Sequence, residues 1–166
     1  MRRIKAVVAV AVLALGAGCS GNTSGGSLIP LNDESARAAF NKLVTGVSEK
    51  GMTDFCERSV RDQDQCKQTL EDSFAYCLLP KDKPRILRSA ALKRSGNTED
   101  GWVLEVAGLT MDGQQYVSEI LMISFQGRVH ASIGVYWTGL GVINSPFGPK
   151  NTKIPQNACP ENPRPQ

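Results

Sequence analysis

Five cysteines carry the clearest chemistry in this chain of 166 residues. Cys19 stands alone near the start, and the other four are Cys56, Cys66, Cys77 and Cys159. With Cys19 set aside, an even set of cysteines predicts two disulfides if the chain is exported, and four cysteines allow three pairings. We favour Cys56 with Cys66, which closes a short loop between two helices and contributes about 3 kcal/mol, and Cys77 with Cys159, which ties down the C-terminal segment. No pair has Cys-x-x-Cys spacing, so no metal site is predicted.

His130 is the one histidine of the chain, and its unperturbed pKa suits proton transfer near neutrality. In a shared cavity with a tyrosine or a carboxylate it would allow general acid–base catalysis; the carboxylates considered are Glu105, Asp112 and Glu119. No spacing brings these groups together, so we predict no catalytic residue. His130, Tyr136 and Tyr116 are the candidates of an enzyme alternative. Glu119 is expected at an exposed edge, because burying a carboxylate without a partner is costly.

Missing motifs and a near-neutral charge exclude several classes of protein. The sequence has no Gly-x-Ser-x-Gly elbow, no phosphate-binding Gly-Lys-Ser/Thr loop and no Gly-x-Gly-x-x-Gly, so no cofactor is predicted. The formal net charge of the whole chain is +3. Three of its positive charges belong to Arg2, Arg3 and Lys5 at the start, so the rest of the chain has a net charge of zero, which predicts no nucleic-acid partner. A basic stretch over residues 81–94 is interpreted as a solvated surface, with contact to anionic headgroups as the alternative.

The opening MRRIKAVVAVAVLALGAGCS has the layout of a secretory signal peptide over residues 1–18. Its apolar run is about a dozen residues long, shorter than the roughly 20 residues that a membrane-spanning helix needs. Residues 15–20, LGAGCS, resemble the lipobox of bacterial lipoproteins. That resemblance implies cleavage before Cys19, a diacylglyceryl group on its sulfur, and anchoring to the cell membrane on the extracytoplasmic face.

A polar tether and an amphipathic helix follow. Residues 19–32 are rich in Gly and Ser and are predicted to form a flexible tether. From residue 35, apolar residues recur at three- and four-residue steps, which predicts a helix; its stripe consists of Ala36, Ala39, Phe40, Leu43, Val44 and Val47. Asn32 or Asp33 can cap its start and Gly51 can end it.

Two further helices are expected before the chain changes period. A short one lies near Phe55, and a longer one covers residues 63–79 and ends at Pro80, which lacks the amide hydrogen that would continue it. The buried side of this third helix is assigned to Cys66, Leu70, Phe74, Cys77 and Leu78.

After Pro84 the hydrophobic period becomes two, which predicts an antiparallel meander and an α+β domain. The strands are placed at residues 85–94, 102–111, 114–125 and 128–137, with turns at Asp112-Gly113 and Gln126-Gly127. In the last strand, alternation assigns one face to the core, namely Val129, Ala131, Ile133, Val135 and Trp137. The other face, with His130, Ser132, Gly134 and Tyr136, would line a polar cup or meet water. Residues after about 142 are expected to be irregular.

This order of parts resembles the NTF2-like, cystatin-like cone, in which N-terminal helices pack on a curved antiparallel sheet, and in particular small bacterial lipoproteins of the DUF4878 kind. The resemblance covers roughly residues 33–137. In that family a cysteine of the second helix is matched by one at the start of the third helix, which here implies Cys56 and Cys66. A tryptophan commonly lies near the end of the last strand, and Trp137 occupies such a place. It implies a cup between sheet and helices. We divide the chain into a signal peptide (1–18), the acylated tether (19–32), the α+β domain (33–143) and a Pro-rich tail stapled by Cys159 (144–166).

The sequence therefore predicts a membrane-anchored extracytoplasmic lipoprotein with a non-catalytic binding or interaction domain. Its expected partners are the lipid bilayer, through Cys19, and a small apolar ligand or an envelope protein. A homodimer formed through the sheet face is a third interpretation. The enzyme alternative is a small NTF2-like dehydratase or isomerase that uses His130 in the cup.

Overall fold

Three helices precede four antiparallel strands in the computed structural model, which describes residues 29–50, 55–59, 61–95, 99–151 and 153–154. The predicted signal peptide, Cys19 and Cys159 lie outside the described residues. The elements are α1 (Asp33–Lys50), α2 (Phe55–Ser59), α3 (Gln63–Ala75), β1 (Arg85–Leu92), β2 (Gly101–Leu109), β3 (Gln115–Phe125) and β4 (Arg128–Ala131). The strands form one sheet in the order β1-β2-β3-β4, so the predicted α+β class and meander are confirmed.

Local sequence signals determine where α1 begins and which side it buries. The Asn32 side chain accepts a hydrogen bond from the Ser35 amide at 2.9 Å, and the Ser35 hydroxyl accepts one from the Asn32 amide at 3.0 Å. This reciprocal pair satisfies two amides at the helix start. The buried side of α1 carries Ala36, Phe40, Leu43 and Val44, as its apolar stripe predicts.

The third helix ends at Ala75, earlier than predicted. Leu78 donates its amide hydrogen to the Ser73 carbonyl at 2.8 Å, and Cys77 donates to the Phe74 carbonyl at 3.0 Å. Cys77 has a φ of 57°, the left-handed conformation that closes a Schellman motif. Because that position usually holds glycine, the sequence shows only Pro80 as a stop signal, and the predicted end at residue 79 was wrong.

Hairpin turns lie at both predicted places, but Asp112 does not adopt the positive φ that a primed Asp-Gly turn needs, so the predicted type of the first turn was wrong. Gly113 follows β2 with a φ of 84°, and its amide donates to the Thr110 carbonyl at 2.8 Å. Gln126 and Gly127 join β3 to β4 with φ values of 49° and 75°, both in the left-handed region that a two-residue primed turn requires. The pairing Phe125–Arg128 at this second turn sets the register of the last two strands.

The fourth strand is shorter than predicted: it ends at Ala131, although the Ser132 amide still donates to the Leu121 carbonyl of β3 at 2.8 Å. The amides of Arg61 and Asp62, just before α3, donate to the carbonyls of Ala131 and Ser132 at 3.1 and 3.3 Å. These bonds bring the α3 end of the helical layer against the end of β4. Residues 133–139 then leave the sheet, and the predicted strand over residues 128–137 was wrong beyond residue 131.

This excursion places Tyr136 and Trp137 in the core between the helices and the sheet, where they are 2% and 0% exposed. The indole nitrogen of Trp137 donates to the Ser73 hydroxyl at 2.7 Å and to the Leu78 carbonyl at 2.8 Å. Tyr136 contacts the ring edges of Phe40 and Trp137 at centroid distances of 5.3 and 4.9 Å. The predicted alternation therefore fails for Tyr136, which is buried, and for Ile133, which is exposed.

The same aromatic packing determines which side of α3 is buried. Its buried residues are Cys66, Thr69, Leu70 and Ser73, whereas Phe74 is 39% exposed. The prediction that Phe74 faces the core was wrong, because Ser73 takes that position to bond Trp137. The disulfide between Cys56 and Cys66 is confirmed and joins α2 to α3.

Cys77 is also disulfide-bonded. Its proposed partner Cys159 lies outside the described residues, so that pairing stays a prediction. In the described part of the chain, no helix combines the length and apolar character needed to cross a membrane. Residues 142–151, which the sequence predicts to be irregular, contain no helix or strand.

Candidate binding cleft

A cleft of about 1250 Å³ opens where β4 leaves the sheet. We call it the cleft throughout. One wall is the start of α3 with the residues before it, the floor is the middle of β3, and the opposite wall is residues 140–144, which we call the cleft wall. The lining side chains and backbone belong to residues 61–65, Thr69, Ser95, Glu99, residues 119–121, 132–133, Val135 and residues 140–144.

Two charged groups on the α3 side of the cleft are engaged within the protein. The Arg61 guanidinium forms an ion pair with Glu99 and lies 5.2 Å from the centroid of the Phe125 ring. The Asp62 carboxylate accepts a hydrogen bond from the Gln65 amide at 3.1 Å and thereby caps α3. On the α3 side an occupant of the cleft would therefore meet a neutralised Arg61 and the carboxylates of Asp62 and Asp64.

Apolar side chains at the cleft remain in contact with solvent. Ile133 is 36% exposed and Ile143 is 70% exposed, whereas Val135 is 6% exposed and belongs to the core. Ile133 lies on the excursion after β4 and Ile143 on the cleft wall. Burying such side chains against a ligand is favourable, at about 25 cal/mol for each Å² of apolar surface.

Hydrogen bonds from β3 hold the cleft wall in place. The Glu119 amide donates to the Leu140 carbonyl at 2.8 Å, and the Glu119 carboxylate accepts a hydrogen bond from the Val142 amide at 2.9 Å. Gly141 donates to the Asn151 carbonyl at 2.8 Å, and a β-carbon added at Gly141 would lie 2.4 Å from Cβ of Lys150. The wall therefore depends on one residue of β3 and on close approach of the chain around Lys150.

The same carboxylate belongs to a buried charge cluster on the outer face of the sheet, the face turned away from α1. Glu119 lies directly opposite Glu105 across β2 and β3. Arg88 forms two hydrogen bonds to Glu105, at 2.6 and 2.7 Å, and Lys150 forms an ion pair with Glu105 and lies 3.8 Å from Glu119. The guanidinium of Arg88 also lies 4.4 Å from the centroid of the Phe147 ring.

Opposite charges offset the burial of these acids. The side chains of Glu105 and Glu119 are 6% and 0% exposed. The hydrogen bond from Arg88, followed by that from Lys150, outweighs desolvation and lowers the pKa of Glu105 to about 2. Glu105 is therefore a carboxylate at any physiological pH, and the cluster joins residues 142–151 to the sheet.

The expectation that Glu119 lies at an exposed edge was wrong. Its buried carboxylate has partners in Val142 and Lys150, both supplied by the segment after the excursion. No local pattern near residue 119 predicts this burial, because the partner lysine, Lys150, is 31 positions further along the chain. Sequence reasoning also missed Glu105 and Arg88 as members of one cluster.

The candidates of the enzyme alternative do not line the cleft. His130 pairs with Ile123 on the outer face and contacts the Phe125 ring at a centroid distance of 6.3 Å. Tyr116 and Tyr136 lie in the core on the other side of the sheet. Burial raises the pKa of Tyr136 to about 12, and burial likewise raises the pKa of Tyr116. The sheet therefore separates the histidine from both tyrosines.

Tyr116 also illustrates a close approach in the sheet. It lies opposite Gly108, and a β-carbon at Gly108 would fall 2.5 Å from the Tyr116 hydroxyl oxygen. The ring thus covers the glycine, and its hydroxyl is buried without a hydrogen-bond partner among the described residues. Within those residues, no three histidine, cysteine or acidic side chains are grouped so that they could hold a metal ion.

Comparison with protein-family models, with curated proteins and with solved structures finds no match for this chain.

Proposed function

We propose that this chain is a lipid-anchored, extracytoplasmic binding domain without catalytic activity, and that its ligand occupies the cleft. One observation carries the proposal. The Arg61 charge is paired with Glu99 and the Asp62 carboxylate caps α3, whereas Ile133 and Ile143 at the cleft are left exposed. Exposed apolar surface of this kind favours recognition of a ligand.

The size and chemistry of the cleft favour a segment of a partner protein over a small apolar molecule. Its volume of about 1250 Å³ exceeds the roughly 300–1,000 Å³ of typical small-molecule pockets. Backbone and polar side chains of the α3 start lie beside the exposed isoleucines. A peptide segment with apolar side chains would form hydrogen bonds with the polar groups and bury the isoleucines.

The anchor is proposed from the sequence of residues 1–20. A basic start, a short apolar run and LGAGCS support cleavage before Cys19 and acylation of its sulfur. Two acyl chains would hold the domain stably on the outside of the cell membrane, because a single chain gives only marginal binding. Export would also supply the oxidising conditions in which the Cys56–Cys66 disulfide persists.

We assign the finer fold, an NTF2-like cone, on the order of its parts. Three helices come first and a four-stranded antiparallel meander follows, with Trp137 just after the last strand. The space that would form the cup of such a cone holds the rings of Tyr136 and Trp137. For this reason the ligand is placed in the cleft and not between the helices and the sheet.

A site-specific crosslinking experiment tests the binding role. A photo-crosslinking amino acid is placed at Ile143 or Ile133 in the chain expressed with its own signal segment in a bacterium, and at Met111 as the control. Met111 is 62% exposed but lies at the far turn between β2 and β3. We expect one protein to be crosslinked from positions 143 and 133 and not from position 111.

The affinity of the chain and its variants for the purified crosslinked protein is then measured. Ile143→Glu should weaken binding about tenfold or more, since it places a charge in a desolvated contact, whereas Met111→Glu should leave binding unchanged. Equal crosslinking at all three positions, or equal affinity of both variants, would contradict the proposal. A small molecule that co-purifies in native mass spectrometry and is lost in Ile143→Glu would replace the peptide with a small apolar ligand.

A further inference from the structure

One end of the sheet lies where the anchored segment enters the domain. The Ile29 amide donates to the Gly127 carbonyl at 3.3 Å, which places the start of the described chain at the turn between β3 and β4. In an antiparallel sheet this end also holds the end of β1 and the start of β2, and Leu92 pairs with Gly101 there. We call this region the tether end.

The distance from Cys19 to the tether end is short. Ten residues separate Cys19 from Ile29, since 29 less 19 is 10, and ten residues span at most roughly 35 Å when fully extended. The opposite end of the sheet is further away by the length of a strand, which for the eight residues of β1 is about 27 Å. An acyl group on Cys19 would therefore bring the tether end to the membrane before the opposite end.

The side chains of the tether end suit the surface of an anionic bilayer. Two apolar side chains are exposed there, Ile29 at 47% and Phe125 at 38%. Four exposed basic residues lie at the same end of the sheet, namely Arg61, Lys93, Arg94 and Arg128. Two acids lie near them: Glu99 pairs with Arg61, and the Asp100 carboxylate accepts the Arg94 amide. The four basic residues therefore exceed these two acids by two charges.

We propose that the tether end rests on an anionic lipid bilayer, with Ile29 and Phe125 at the headgroup level and Lys93, Arg94 and Arg128 against the lipid phosphates. The inference rests on the proposed anchor at Cys19. Each basic residue near an anionic surface raises membrane partitioning about fivefold, and the attraction decays within a Debye length. The docked domain keeps its far end, with Lys81 and Lys83, in solvent.

Docking would also set the direction of the cleft. Arg61 and Glu99 belong both to the tether end and to the lining of the cleft. The cleft wall stands at the other side of the opening, beside the middle of β3. A docked domain would therefore present the cleft beside the membrane surface, where a partner anchored in the same membrane can reach it.

Lysine labelling in vesicles tests the proposal on the full acylated chain. The chain is purified from bacterial membranes, reconstituted into vesicles of phosphatidylglycerol with phosphatidylcholine or of phosphatidylcholine alone, and treated with an amine-acetylating reagent. Mass spectrometry follows Lys93 at the tether end and Lys81 and Lys83 at the opposite end. We expect acetylation of Lys93 to slow several-fold in the anionic vesicles only, with Lys81 and Lys83 unchanged.

Two double charge reversals, one at each end of the sheet, complete the test. All four basic side chains are exposed, so their substitution leaves the core intact. Arg94→Glu with Arg128→Glu should restore the labelling rate of Lys93 to its value in neutral vesicles. Lys81→Glu with Arg85→Glu, the same change of charge at the opposite end, should leave the slowing of Lys93 in place. Equal slowing at Lys93 and Lys81, or no slowing at either, would overturn the docking.

The intact mass of the same sample separates the two proposals. A mass that includes acyl groups on Cys19, together with equal labelling at both ends, would retain the anchor and reject the oriented docking. A mass without acyl groups would contradict the anchor and would overturn the docking with it, because the reach of the tether then selects neither end.

Discussion

The two faces of the sheet are stabilised by different interactions. The inner face packs against the helices through rings, with Tyr136 and Trp137 buried beside Phe40. The outer face buries two acids, Glu105 and Glu119, beneath residues 141–151. Apolar packing on the inner face depends on shape and area, whereas the outer face depends on keeping opposite charges together. The inner face should therefore tolerate changes of pH that open the outer one.

Trp137→Ala should have the largest effect on stability. The substitution removes a fully buried ring and its hydrogen bonds to Ser73 and Leu78, and large-to-small changes of this kind cost about 3–5 kcal/mol. Urea denaturation of the full chain measures the loss. Phe74→Ala, at an exposed ring on α3, is the control and should cost less than about 1 kcal/mol. Equal losses in the two variants would mean that the excursion after β4 does not fill the core.

Glu105→Ala should have a smaller but clear effect that is specific to the outer face. It leaves Arg88 without its hydrogen-bonded carboxylate and Lys150 with only the more distant carboxylate of Glu119, and hydrogen bonds to charged groups contribute about 1.5–3 kcal/mol. Glu57→Ala is the matched control, because its ion pair with Lys67 at 3.6 Å is solvent-exposed and exposed pairs contribute at most about 1 kcal/mol. The same urea denaturation compares both variants. A loss no larger than that of the control would indicate that the cluster is not needed for stability.

Acid should weaken the outer face by a smaller and graded amount. Because the pKa of Glu105 is about 2 in the folded chain and 4.5 otherwise, its contribution is complete above pH 4.5 and is lost as the pH falls toward 2. Glu105→Gln lacks this contribution, so its stability should approach that of the native sequence as the pH falls through this range. Urea denaturation across that range measures the difference. A difference between the two chains that stays constant with pH would contradict the assignment.

Asp33 provides the comparison for that pH series. Hydrogen bonds from Ser89 and then from Arg37 lower the pKa of this carboxyl, which joins the start of α1 to β1. Asp33 is partly solvent-exposed, so Asp33→Asn should shift the acid side of the stability curve less than Glu105→Gln. A larger shift for Asp33→Asn would reverse the proposed ranking of the two faces.

Features with local causes were predictable from the sequence. The stripe of α1 and the turns at Asp112-Gly113 and Gln126-Gly127 depend on neighbouring residues, and all three lie where the sequence places them, although the first turn is not of the predicted primed type. The Cys56–Cys66 disulfide also joins residues only 10 positions apart. Such features follow from periodicity and from the backbone conformations that particular residues allow.

Features with distant causes were not predictable. RVHASIGVYW alternates well enough to suggest one long strand, but Ala131 and Ser132 accept hydrogen bonds from residues some 70 positions earlier, at 61 and 62. Trp137 is held in the core by its hydrogen bond to Ser73, and the buried carboxylate of Glu119 contacts Val142 and Lys150. The cleft results from these long-range contacts, so composition and period alone could not locate it.

Hydrogen exchange at the cleft wall tests most directly whether the outer-face carboxylate holds the cleft in place. Glu119→Ala removes the acceptor of the Val142 amide and the second carboxylate near Lys150. We predict that amides of residues 140–144 then exchange about tenfold faster or more, as expected when a hydrogen bond to a charged group is lost, while amides of β2 keep their rates. An unchanged rate at residues 140–144, or an equal acceleration in β2, would contradict the account.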